Sequence, residues 1–159
     1  MTAFSIRPAT PADVPHILDM ITELADFERL RHLVVADEGL LRDALFGAHP
    51  ACECVVAREG DTPVAFALFF HNFSTFLAKK GLYLEDLYVK LPYRGKGYAT
   101  QILKHLARLA VERNCGRFEW SVLDWNEKAI GFYKKMGADV MPDWRICRVT
   151  GEGLTQLAA

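Results

Sequence analysis

Val89-Lys90-Leu91-Pro92-Tyr93-Arg94-Gly95-Lys96-Gly97-Tyr98-Ala99 is a basic, glycine-bearing connection between two strongly patterned segments. Before it, Gly81–Val89 reads as a strand, with Leu82, Leu84, Leu87 and Val89 apolar and Glu85-Asp86 in the middle. After it, Ala99, Ile102, Leu103, Leu106, Leu109 and Ala110 recur at helical spacing and predict a helix over Gly97–Asn114, ended by Cys115-Gly116. A strand, a basic glycine loop and a helix start make a place for phosphate. Glycine lets the backbone approach closely, and the first helical turn supplies free N–H groups and partial positive charge. The loop is not a Walker A sequence, which needs Lys-Ser or Lys-Thr in frame, and it has no G-x-G-x-x-G. What stands is Arg94-Gly95-Lys96-Gly97-Tyr98-Ala99, an R-x-x-G-x-A pattern.

Working toward the N-terminus, Phe4–Pro8 alternates like a short strand. Thr10-Pro11-Ala12-Asp13 reads as a helix start, with a capping threonine, proline at the first helical position and an acid in the first turn. Val14, Ile17, Leu18, Ile21, Leu24 and Ala25 carry that helix to about Glu28, and a second helix covers Asp37–Phe46, stopping at Gly47. Glu53–Arg58 and Val64–Phe70 form a hairpin around Glu59-Gly60-Asp61-Thr62-Pro63. Toward the C-terminus, Arg117–Leu123 is a strand and Asn126–Met136 a helix closed by Gly137. Trp144–Thr150 is a final strand, followed by a helical turn. The order β-α-α-β-β-β-α-β-α-β, without repeats or linkers, predicts one α/β domain over 1–159, a mixed sheet flanked by helices.

Composition narrows the function. The 159 residues are 51% hydrophobic and 25% charged with net charge −1, which suits a core-bearing soluble domain and not a nucleic-acid binder. No apolar run spans a bilayer and the N-terminus lacks a signal-peptide pattern, so the expected location is cytoplasmic. Cys52, Cys54, Cys115 and Cys147 are scattered and read as small buried thiols, Cys52 and Cys54 on one strand face. No histidine pairs with them at metal-ligand spacing, so no metal is expected.

Three stretches together resemble the GNAT superfamily of acetyl-CoA-dependent N-acyltransferases. They are the loop, the N-x-x-A-x-x-F-Y-x-x-x-G run from Asn126 to Gly137, and Tyr83-Leu84-Glu85-Asp86-Leu87-Tyr88-Val89. Phe4-x-Ile6-Arg7-Pro8-Ala9-Thr10, Glu23-Leu24-Ala25-x-Phe27-Glu28 and Gly47-x-His49-Pro50 extend the resemblance to its diamine (spermidine/spermine) acetyltransferase branch, over nearly the whole chain. The resemblance implies the GNAT fold: a mixed, mostly antiparallel α+β sheet with splayed central parallel strands. It implies that Arg94, Gly95, Lys96, Gly97, Tyr98, Ala99 and Thr100 hold the coenzyme A pyrophosphate. A β-bulge would open a gap where the pantetheine arm pairs with Leu87, Tyr88 and Val89. Asn126, Glu127, Lys128 and Ala129 would begin the second helix lining the coenzyme. A homodimer is implied in the same way.

The acceptor is expected to be the primary amine of a small cation, a polyamine, diamine or thialysine-like amino acid. Its pKa of about 10.4 leaves about one molecule in a thousand neutral near pH 7.4. A carboxylate must therefore take a proton, and Glu85 is the expected base. Tyr133 is the expected acid for the departing thiolate. Phe27, Glu28, Glu85 and Asp86 would form an acidic, partly aromatic acceptor site. Asp86 faces away from Glu85 in a regular strand, and a bulge would change that. Ala138–Trp144 is shorter than its counterpart in the branch, and Met136 replaces an arginine often found there. Two alternatives remain: acetylation of a protein lysine or N-terminus, and a non-catalytic acetyl-CoA-binding module. Retention of Glu85 and Tyr133 argues against the second.

Overall fold

The N-terminal signals at Thr10-Pro11 act together. In the computed structural model, which describes residues 3–159, the Thr10 N–H donates to Asp13 Oδ2 at 2.8 Å and its hydroxyl lies 3.2 Å from the same oxygen. A short 3-10 turn, Pro11–Asp13, leads into α1 (Val14–Phe27). Asp13 is buried and also accepts from the Arg58 guanidinium, so the start of α1 is pinned to the sheet. α2 (Glu38–Phe46) starts where Asp37 accepts the Leu40 N–H at 2.8 Å.

The chain forms two compact units, Met1–Ser121 and Val122–Ala159. The first contains β1 (Phe4–Pro8), β2 (Glu53–Glu59), β3 (Thr62–Ser74), β4 (Lys79–Val89), α3 (Tyr98–Glu112) and β5 (Phe118–Trp120), besides α1 and α2. The sheet order is β1-β2-β3-β4-β5, with antiparallel pairs except for the parallel β4–β5 pair. Cys54, Val56, Phe66 and Tyr88 face α1 and α2 and bury Val14, Ile17, Met20, Leu41 and Leu45 in one core. Strand alternation turns Val55, Ala65 and Ala67 to the opposite face, and α3, which buries Ile102, Leu103, Leu106 and Ala110, packs against β4.

Within the first unit, two strand readings differ from the structure. β3 runs past Phe70 to Ser74 and β4 begins at Lys79, because the hairpin continues its ladder outward. β5 is three residues long and not seven, since its parallel ladder with β4 covers only Leu82–Leu84.

The second unit contains α4 (Glu127–Lys135) and α5 (Gly151–Ala158). Asn126 caps α4 by accepting the Ala129 N–H at 3.2 Å, and Gly137 follows its end at φ 96°, a conformation glycine adopts without strain. The expected strand over Trp144–Thr150 is not formed: no ladder includes it among the described residues. Alternation becomes a strand only against a paired edge. Here Trp144 is 77% exposed, and Ile146 and Val149 are exposed with it. The tail is longer than a turn, an eight-residue helix.

Candidate active site

The β3–β4 register contains one extra residue. Asp86 lies opposite Leu68 and Leu84 opposite Phe69, which leaves Glu85 without a partner. This bulge reverses the facing of everything after it. Without it, Asp86 would share the face of buried Leu84; with it, Asp86 shares the face of Leu68 and Tyr88, toward α1 and α2. Glu85 itself is exposed. Burial, then the charges of Glu85 and Glu28, push the Asp86 carboxyl up to about 6. Burial also raises the carboxyl of Glu28, the residue that follows the half-exposed Phe27 at the C-terminal end of α1. The fold therefore brings Glu28, Glu85 and Asp86 into one mutually repelling acidic cluster. Such a cluster is costly alone and favourable to a cation.

The bulge also ends the parallel pairing. β5 accompanies β4 only as far as Leu84, so Leu87, Tyr88 and Val89 carry a ladder on the β3 side alone. The Val89 carbonyl accepts from Arg94 Nε at 2.9 Å. The Arg94 guanidinium lies between two rings, 5.3 Å from the centre of Phe27 and 5.4 Å from that of Tyr88. It thus ties the basic loop to the acidic cluster's aromatic wall.

In the loop, a 3-10 turn over Leu91–Tyr93 leads to Gly95 and Gly97, with φ +79° and +80°. A Cβ built at either would meet nothing within 4 Å, so the glycines serve a left-handed backbone and leave open space above it. The first α-helical bond is Gln101 N–H to the Gly97 carbonyl at 3.1 Å, so the N–H groups of Tyr98, Ala99 and Thr100 precede it. Open space, a helix start and two cations fit a pyrophosphate.

Sequence reasoning missed Glu59. Its carboxylate accepts from Tyr98 Oη at 2.5 Å and from Lys96 Nζ at 3.0 Å. Phe4, its cross-strand partner, stacks on the Tyr98 ring at 3.9 Å between centres and 9° between planes. No local signal could show this, because 37 and 39 residues separate the partners.

In the second unit, Glu127, Lys128 and Ala129 form the first turn of α4, and Tyr133 lies in its second half, its ring 5.5 Å from that of Phe132. Elsewhere, Cys54 is buried, but Cys52 and Cys115 are only partly buried and Cys147 is exposed, so the expectation of four buried thiols is corrected. His71 sits within β3, 3.3 Å from Arg113, and burial lowers its pKa. Among the described residues, no three of His, Cys, Asp and Glu group as a metal site would need, and no helix is long and apolar enough to cross a membrane.

The family model described as "Acetyltransferase (GNAT) family" matches residues 18–138. The chain belongs to this family and is an acetyltransferase. It is 38% identical to a thialysine N-epsilon-acetyltransferase from Mus musculus, over 99% of both chains. It is 37% identical to an L-ornithine N5-acetyltransferase from Arabidopsis thaliana, over 94% of this chain and 85% of that one. An integron cassette protein from the mobile metagenome of V. cholerae superposes with TM-score 0.83 and 28% identity, over 99% of each chain.

Proposed function

We propose that this enzyme transfers an acetyl group from acetyl-CoA to the primary amine of a small aliphatic cation, of the thialysine, ornithine or polyamine kind. The acidic cluster of Glu28, Glu85 and Asp86 carries the reading, because three crowded carboxylates are relieved by an ammonium group. The thialysine and ornithine acetyltransferases among its relatives favour an amino acid with a terminal side-chain amine. We read residues 1–159 as one catalytic domain, since the family match crosses from the first unit into the second. A homodimer follows from the resemblance to the diamine branch.

Arg94–Thr100 would hold the pyrophosphate and Leu87–Val89 the pantetheine arm. Acetyl-CoA supplies the acetyl group as a thioester. Glu85, exposed on the bulge, accepts the proton of the bound ammonium, directly or through water. Glu28 and Asp86 hold the cation, and Phe27 offers its ring face. Tyr133, which the N-x-x-A-x-x-F-Y motif marks, carries a proton at Oη for the departing sulfur.

Thiol release from acetyl-CoA, followed with spermidine, putrescine, ornithine, lysine, thialysine and a lysine peptide, tests this reading. The expected outcome is turnover with at least one free amine. Turnover on the peptide alone would replace the acceptor by a protein lysine, and coenzyme binding without turnover would leave a binding module.

A further inference from the structure

We propose that Glu59 is a positioning residue for the phosphate-holding loop, acting through Tyr98 and Lys96. The proposal rests on the reading of Arg94–Thr100 as the coenzyme A site. The loop has little support of its own. Gly95 and Gly97 are exposed and left-handed, and nothing packs over either position. Its entrance is tied down by the Lys90 N–H on the Val64 carbonyl at 2.9 Å and by Arg94 on Val89. Beyond Gly95, its hold on the sheet comes through Lys96 and Tyr98, and both converge on Glu59.

The geometry suits this role. Glu59 ends β2 directly opposite Phe4 of β1, so both project from one face and meet Tyr98 there. Phe4 supports the ring and Glu59 accepts from the hydroxyl at its far end. Tyr98 is the first residue of α3, so fixing its ring fixes the direction in which the first-turn N–H groups point. The Glu59 side chain is only 18% exposed, and the bonds from Tyr98 and then Lys96 hold its carboxyl below the usual carboxylate range. Lys96, paired with Glu59, is oriented and partly neutralised. Glu59 therefore does two things: it orients the backbone donors and restrains the loop's own cation.

Titration of the full-length protein with coenzyme A tests this, with steady-state kinetics alongside. E59A is expected to weaken coenzyme A binding about tenfold, because misplaced donors lose their alignment. The acetyl-CoA KM should rise with it, while kcat at saturating donor and the amine KM stay unchanged. A general loss of structure would move all three. E59Q retains an acceptor for Tyr98 but releases Lys96, so its loss should be smaller and its coenzyme affinity more salt-dependent. E59A combined with Y98F should be no weaker than E59A alone, since both break one link. Unchanged coenzyme A affinity in folded E59A would overturn the proposal; if E59A does not fold, unchanged affinity in both E59Q and Y98F would do so. Wild-type protein that fails to bind coenzyme A would instead sink the acetyl-CoA reading on which this one stands.

Discussion

Asp86 shows how much one carboxyl gains from its surroundings. Its pKa, raised from 3.8 to about 6, means that the folded state holds the proton more tightly than the unfolded chain. The protonated form's contribution to stability is complete below about pH 3.8 and is lost as pH rises through about 6. Two pH units correspond to at most about 3 kcal/mol. Asp86→Asn should remove that slope, so that its melting temperature gains on wild type between pH 4 and pH 7. The same proton affects binding. The amine KM should rise as pH falls through about 6, where the cluster loses a charge, and this rise should flatten in Asp86→Asn. At Tyr133, Tyr133→Phe should keep coenzyme binding but lower turnover by about 10²-fold or more. Unchanged thiol release would remove Tyr133 from the mechanism. The sequence marked Asp86 and Tyr133 as candidates by their motifs, whereas the facing of Asp86 was not legible there. It depends on a register shift against β3 that no property of β4 alone specifies.

At the scale of elements, caps and turns carry local information. Thr10, Asp13, Asp37, Asn126, Gly97 and Gly137 all stand at helix ends, because a cap is settled by a few neighbouring residues. Gly97→Ala would place a Cβ at φ +80°, costing about 1–2 kcal/mol of backbone strain without a clash. The expected result is a higher acetyl-CoA KM with little change in the amine KM. Asp13→Ala should cost about 3 kcal/mol, since it leaves the Arg58 charge without its buried partner and removes the acceptor of the Thr10 N–H in the turn that leads into α1. A lower urea midpoint with an unchanged slope would report this. Strand ends were less legible than helix ends. β3 and β4 lengthen each other through their ladder, and β5 stops where the bulge takes β4 out of register.

For the whole molecule, net charge says little and its distribution says much. A chain of net charge −1 gathers carboxylates at Glu28, Glu85 and Asp86 and cations at Arg94 and Lys96. The amine KM should therefore rise with salt, and less so in Asp86→Asn. Sedimentation at micromolar concentration is expected to give twice the monomer mass; a monomer would overturn the inferred homodimer. By itself, the sequence determined what short-range physics can specify: the helices and their caps, the basic glycine loop before α3, and the residue types for an acetyl transfer. Tertiary structure alone decided which residues meet. Pairing across β3 made the bulge that turns Asp86 toward Glu28, and the β1–β2 register placed Glu59 and Phe4 against Tyr98. The Trp144–Thr150 alternation formed no strand, because a strand's hydrogen bonds lie outside itself and need an edge to receive them.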